Sequence, residues 1–241
     1  MVASGSGEQK NFEWISKMKS ANLENWIETA LPEPVRRLKR SRLGVQISRF
    51  HSRKNQKSWG LESSIELDYA HFLEWSAEVV RFVPQPMEIE ILQHGRRKAY
   101  VPDFLHISTK MDRTVTEIKP QGWDKSPFLV EKYEACKVEL AFQGIKFQVL
   151  TDADIRRDEL HRNLRHLYPS YKTSTPEQVL AVFAGLSRMN NRATVGELMA
   201  LPNPPTYAAC AAFAYENWVD IHSKPFGLST VLEIGDEHAD H

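Results

Sequence analysis

The chain has 241 residues, enough for one sizeable core and a smaller second domain. Hydrophobic residues make up 41% and charged residues 26%, which fits a water-soluble globular protein and excludes a disordered or collagen-like one. Net charge is +0, and no apolar run approaches the roughly 18–20 residues that span a bilayer, which argues against a membrane-spanning helix.

The balance is uneven along the chain. Residues 172–241 hold four Lys/Arg against eight Asp/Glu, a local charge of −4 that the first 171 residues offset with +4. The first part therefore suits nucleic acid and the second does not. The N-terminus lacks the charged-then-apolar order of a secretory signal. Cys136 and Cys210 stand far apart with no CxxC spacing, so neither a zinc site nor a disulfide framework is expected. The expected setting is a reducing cytoplasm.

Taken in order, residues 3–7 read as a flexible leader, and the apolar spacing of residues 8–30 predicts a helix that Pro32 and Pro34 end. Residues 1–35 form an N-terminal helical segment on this reading. Residues 36–57 carry Arg36, Arg37, Lys39, Arg40, Arg42, Arg49, Arg53, Lys54 and Lys57 with no acidic residue. Such clusters supply the phosphate contacts that dominate affinity for DNA, so all nine are candidate DNA-binding residues. Val45, Ile47 and Phe50 suggest a short strand within this segment.

Leu61, Ile65, Tyr69, Phe72 and Leu73 recur at helical spacing, an amphipathic helix with Glu66 at the edge of its buried face. Glu62, one turn earlier, is a second candidate for the site. Asp68 and Glu74 are expected to be solvated. Val79 to Ile91 is apolar, β-branched and interrupted by Pro84 and Pro86, an edge-type strand. Gly95 is expected to turn the chain into the strand that carries Asp103.

Tyr100-Val-Pro-Asp103-Phe-Leu and Thr114-Val-Thr-Glu117-Ile-Lys119-Pro form the centre of the pattern. The 14 residues from Asp103 to Glu117 allow two strands and a turn at 110–113. Side chains two apart on a strand share a face, so Glu117 and Lys119 point together and Ile118 points to the core. Asp103, Glu117, Lys119 and the helical Glu66 are the candidate catalytic set. The three carboxylates are hard oxygen ligands suited to Mg²⁺ or Mn²⁺. Charged residues on a solvated strand face are common, and the surrounding context distinguishes this set.

Ser126-Pro127 predicts an N-cap with proline at the first helical position, and Gly144 a helix stop. Ile145, Phe147 and Val149 alternate as a strand, and Thr151 caps a helix carrying Ile155, Leu160, Leu164 and Leu167. The fold class is α/β, a mixed central sheet flanked by helices. From residue 172 a smaller unit follows. One helix starts at Thr175-Pro176, a second at the Thr194–Glu197 capping box, and a third runs from Thr206 to about Trp218. Val219–Ile221 and Thr230–Ile234 are expected to pair as a wing, making a winged-helix-like domain over 172–241. Its acidity and its alanine-rich third helix favour protein contact over base reading. The tail from Gly235 is expected to be disordered.

These residues together resemble the PD-(D/E)xK nuclease superfamily, and more narrowly the TnsA family of transposase endonuclease subunits. Four pieces carry the resemblance: Ser64-Ile-Glu66-Leu with Phe72-Leu-Glu-Trp75, Phe82-Val-Pro-Gln-Pro86, the pair Pro102-Asp103-Phe-Leu and Glu117-Ile-Lys119-Pro120, and Phe147 to Ile155. It implies a restriction-endonuclease-like core over 36–171, with Glu66, Asp103 and Glu117 holding divalent metal and Lys119 serving the attacking water. Some family members carry glutamine where Glu117 stands. The resemblance further implies cutting of the 5′ strand at transposon ends during cut-and-paste transposition. A DDE-type transposase, TnsB, would act on the 3′ ends, and an AAA+ ATPase, TnsC, would meet the C-terminal domain. A stand-alone restriction- or repair-type nuclease and a non-catalytic DNA-binding adaptor are the alternatives.

Overall fold

The computed structural model describes residues 34–35, 47–93, 96–123, 125–216 and 219–234. The expected N-terminal helix, the basic residues Arg36, Arg37, Lys39, Arg40 and Arg42, and the tail from Gly235 lie outside the described residues.

A hairpin comes first, β1 (Ser48–Ser52) against β2 (Lys57–Leu61). Helix α1 (Ser64–Trp75) follows, its start fixed by Ser63, whose hydroxyl accepts from the Glu66 amide. Leu61 belongs to β2 and Phe72 is 39% exposed, so the apolar stripe expected of α1 is out of phase with its true inner face. That face carries Asp68, Tyr69, Ala70, His71, Leu73 and Glu74.

Asp68 and Glu74 are therefore buried, contrary to expectation, because partners distant in sequence neutralise them. Arg156 donates to Asp68 at 2.6 Å, and an Arg165 guanidinium nitrogen lies 3.1 Å from its other oxygen. Glu74 accepts from the Ser52 hydroxyl and from the Arg53 and Lys54 amides.

The central sheet is built from β3 (Val79–Pro84), β6 (Phe104–Ser108), β7 (Arg113–Lys119) and β8 (Ile145–Thr151), in that spatial order. The first two pairings are antiparallel and β7 runs parallel to β8, so the sheet is mixed. Between β3 and β6 the chain makes a separate hairpin, β4 (Ile89–Gln93) with β5 (Arg96–Tyr100). The sequence pattern merged β3 with β4 and took β5 as the way into the Asp103 strand. Asp103 lies instead in the bend just before β6.

Helix α2 (Pro127–Phe142) makes the crossover from β7 to β8, ending at Gly144 with φ +66°. It packs on one sheet face through Tyr133, Cys136 and Leu140 against Val83, Leu105 and Val115. On the other face Tyr69 and Leu73 of α1 meet Phe82, Phe104 and Ile118. Both cysteine thiols are free and buried.

Thr151 caps only a four-residue helix, α3 (Asp152–Ile155). The leucines expected on that helix belong to α4 (Leu160–Thr173). Then come α5 (Pro176–Ser187), β9 (Arg192–Thr194), α6 (Val195–Met199), α7 (Tyr207–Glu216) and β10 (Val231–Glu233).

The expected wing does not form. Val219–Ile221 is not a strand, and β10 pairs with β9. Asn163 of α4 instead pins the loop that follows. Its amide donates to the Ile221 and Lys224 carbonyls and its oxygen accepts the Phe226 N–H. One hydrophobic cluster runs through α1, α4 and α7, joined by Tyr168 and the Tyr171–Tyr215 stack at 4.4 Å. No helix among the described residues is long and apolar enough to cross a membrane.

Candidate active site

The sheet register brings the first two acids together. Phe104 pairs with Thr116, so Asp103 stands one step further on, across from Glu117. The Asp103 carboxylate accepts the Ile118 amide at 2.6 Å, and its backbone carbonyl accepts the Gln85 amide at 2.8 Å. Strand β7 thus fixes the side chain, and the residue after β3 fixes its backbone. Its second oxygen accepts no hydrogen bond from the described residues.

Glu117 and Lys119 share a face of β7 as alternation requires, with Lys119 Nζ 2.5 Å from Glu117 Oε1. Ile118, between them, points into the core. Glu117 is only 3% exposed, and three side chains hold it. The Tyr133 hydroxyl donates to Oε1 at 3.2 Å, the Tyr100 hydroxyl donates to Oε2, and Lys119 completes the set. Each carboxylate oxygen has two lone pairs, so Oε2 retains one.

Glu66 is half-buried at the start of α1. Its carboxylate accepts from the Glu62 amide and the Ser63 hydroxyl, both at 2.9 Å, contacts that turn it back on the start of its own helix. Its charge still reaches the pair. Burial and the repulsion of Glu117 and Glu66 push the Asp103 carboxyl up to about 7, against the pull of the Ile118 amide and Lys119. Burial foremost also raises Glu66, with a smaller contribution from Glu117.

A second lysine completes the surroundings. Lys132 of α2 lies 3.8 Å from the Tyr100 ring centroid and 5.1 Å from that of Tyr133. Burial lowers its pKa, partly offset by the nearby Glu117.

Among the described residues, no three His, Cys, Asp or Glu side chains form a finished metal cage. Asp103 and Glu117 face each other across the register, and Glu66 is held back by its bonds to the start of α1. The donor set nevertheless suits a hard divalent cation. Two facing carboxylates of hard oxygens lie near one ammonium, which pairs with Glu117, and a third acid adds repulsion. The raised affinity of Asp103 for protons marks a site short of positive charge.

The candidate DNA-binding residues divide. Arg49 and Lys57 lie exposed on the first hairpin. Arg53 stacks over Tyr171 at 4.5 Å and donates to the Tyr171 carbonyl. Lys54 gives its ammonium to the carbonyls of Leu73, Ser76 and Val79, and burial lowers its pKa to about 8. Lys54 is thus a cap on the C-terminal end of α1, with no donor left over for phosphate.

Sequence reasoning passed over Tyr100, Tyr133 and Lys132. Tyr100 could have been found, because it lies three residues before Asp103. Tyr133 and Lys132 reach the site only through the packing of α2, which no local pattern encodes. No protein-family model and no curated protein matches this chain.

Proposed function

We propose that the chain is a divalent-cation-dependent DNA endonuclease. The observation that supports this best is the register-fixed meeting of Asp103 and Glu117 beside Lys119. Asp103 and Glu117 would hold the cation, and Glu66 would join them if its side chain released the start of α1. When bound, such a cation lowers the pKa of an attacking water and stabilises the leaving oxygen.

The protein's own groups supply orientation and charge. Tyr100 and Tyr133 fix the Glu117 carboxylate in one pose. Lys119 orients the water and offsets the charge that grows on the phosphoryl oxygens. As the water oxygen bonds to phosphorus, the P–O bond to the leaving hydroxyl breaks. The water releases a proton to solvent, and the leaving oxygen takes one up.

The narrower reading is carried by the motif resemblance alone. In it the core is restriction-endonuclease-like and cuts the 5′ strand at transposon ends beside a DDE-type transposase and an AAA+ ATPase. The C-terminal helices serve as the partner-binding unit.

Lys119→Ala should slow nicking of supercoiled DNA in Mg²⁺ by about 10²-fold or more, the size expected for one electrostatic donor. Mn²⁺ is expected to substitute for Mg²⁺. The comparison is made with and without the two partner proteins, because the resemblance implies an enzyme that depends on them. A Lys119→Ala protein that nicks at the wild-type rate in both conditions refutes the assignment.

A further inference from the structure

The β4–β5 hairpin carries Arg96-Arg97-Lys98 on a strand whose next residues lead to Tyr100. Alternation separates these cations. Arg97 turns to the outer face, where Glu90 lies 3.2 Å away. Arg96, Lys98 and Tyr100 share the inner face, opposite Gln93, Ile91 and Ile89 respectively. Tyr100 is the residue that donates to Glu117, so this face leads into the candidate active site.

Helix α2 supplies the opposite wall. Phe128 and Lys132 stand four residues apart, one turn of helix. Lys98 Nζ lies 4.8 Å from the Phe128 ring centroid, while Lys132 Nζ lies 3.8 Å from that of Tyr100. The two elements therefore interlock, each lysine seated on an aromatic of the other. The Gln93 amide ties them further by donating to the Phe128 carbonyl at 2.7 Å.

Among the described residues no carboxylate forms an ion pair with Arg96, Lys98 or Lys132. The order along the rim is Arg96, Lys98, Lys132, then Lys119 beside Asp103. Residues two apart on a strand are about 6.8 Å apart, so the rim carries positive charge roughly 13 Å outward from Tyr100. Seating lysine stems on aromatic faces holds the ammonium groups in place at small entropic cost.

We infer that this rim, formed by Arg96 and Lys98 of β5 with Lys132 of α2, is the track that takes the phosphodiester backbone of duplex DNA next to the bond that is cut. The inference rests on the endonuclease reading and adds a binding surface to it. The rim lies on a different hairpin from the basic segment at 36–57, and it adjoins the acids directly.

The test is binding of the full chain to a fluorescent DNA duplex, with Ca²⁺ in place of Mg²⁺ to prevent cleavage. Anisotropy is followed across a salt series. The Arg96→Ala/Lys98→Ala double variant should bind about 10-fold more weakly or worse at low salt, and the slope of log K against log salt should shrink by about two. The control, Lys110→Ala/Lys146→Ala, removes the same charge at the opposite end of the sheet and should leave both unchanged. Lys132→Met should reduce the slope by about one. Circular dichroism melting confirms that each variant is folded.

If the wild type nicks DNA while the double variant keeps the wild-type slope and affinity, the track assignment falls and the nuclease reading stands. Equal losses in the control also overturn the track. A wild type that neither binds nor nicks duplex DNA, alone or with partners, removes both.

Discussion

Asp103→Asn should abolish DNA cleavage and at the same time make the protein harder to melt. The first effect follows from removing a carboxylate that would hold the cation. The second follows from repulsion. Asp103 faces Glu117, lies within reach of Glu66, and has its carboxyl pushed up to about 7 from an ordinary 3.8.

The folded state therefore holds a proton on Asp103 in a pH range where the unfolded chain has lost it. Stability falls as pH rises between about 3.8 and about 7, and the deficit is complete above that range. Undamped, a displacement of that size corresponds to ~4 kcal/mol. Local relaxation and water penetration around the buried carboxyl leave roughly 2 kcal/mol. Asp103→Asn should recover that amount at pH 8 and roughly two fifths of it at pH 5. Calorimetric melting of both proteins at the two pH values measures it. Mg²⁺ should raise the melting temperature of the wild type at pH 8 and leave that of the variant unmoved. A variant less stable than the wild type at pH 8 contradicts this picture.

The second large effect lies away from the chemistry. Glu74 is 4% exposed and accepts from Ser52 Oγ at 2.5 Å, from the Arg53 amide at 2.9 Å and from the Lys54 amide at 3.1 Å. Its negative charge also favours the Lys54 ammonium, against the effect of burial. Glu74→Ala would leave three donors without an acceptor and remove the counter-charge from a buried cation. Each orphaned donor costs about 1–3 kcal/mol, so a loss of about 3–4 kcal/mol is expected for the set. That is a large share of the total stability of a domain. Glu74→Gln keeps the shape and one acceptor and should lose about half as much. Urea unfolding followed by tryptophan fluorescence gives both values. A loss under about 1 kcal/mol for the alanine variant would mean that water fills the place of the carboxylate.

Residues whose roles are local were legible in the sequence. Glu117, Ile118 and Lys119 follow from strand alternation, the start of α2 from Ser126-Pro127, and α6 from the Thr194–Glu197 box. Residues whose roles depend on a distant partner were not. Asp68 and Glu74 look like solvent-facing charges until Arg156, Arg165 and the β1–β2 turn arrive. Strand β5 escaped notice because four of its five residues are exposed, so it has no apolar alternation. Val219–Ile221 carries a strand-like pattern, but Asn163 pins the loop that follows. The acids of the candidate site were found because they sit in motifs. The aromatic and basic groups around them depend on how α2 and β5 pack.

Helix α4 serves α1, the first hairpin and the C-terminal helices alike. Its Leu164 and Leu167 have no exposed surface, Tyr168 hydrogen-bonds the His51 carbonyl at 2.5 Å, and Tyr171 stacks on Tyr215. Severing the chain near residue 172 would strip that helix of one flank and leave its leucines facing water. A shortened protein should clump rather than work as a detached cutter. By the same token, whatever seizes the last helices also grips the first hairpin, through an aromatic strut instead of a slack tether.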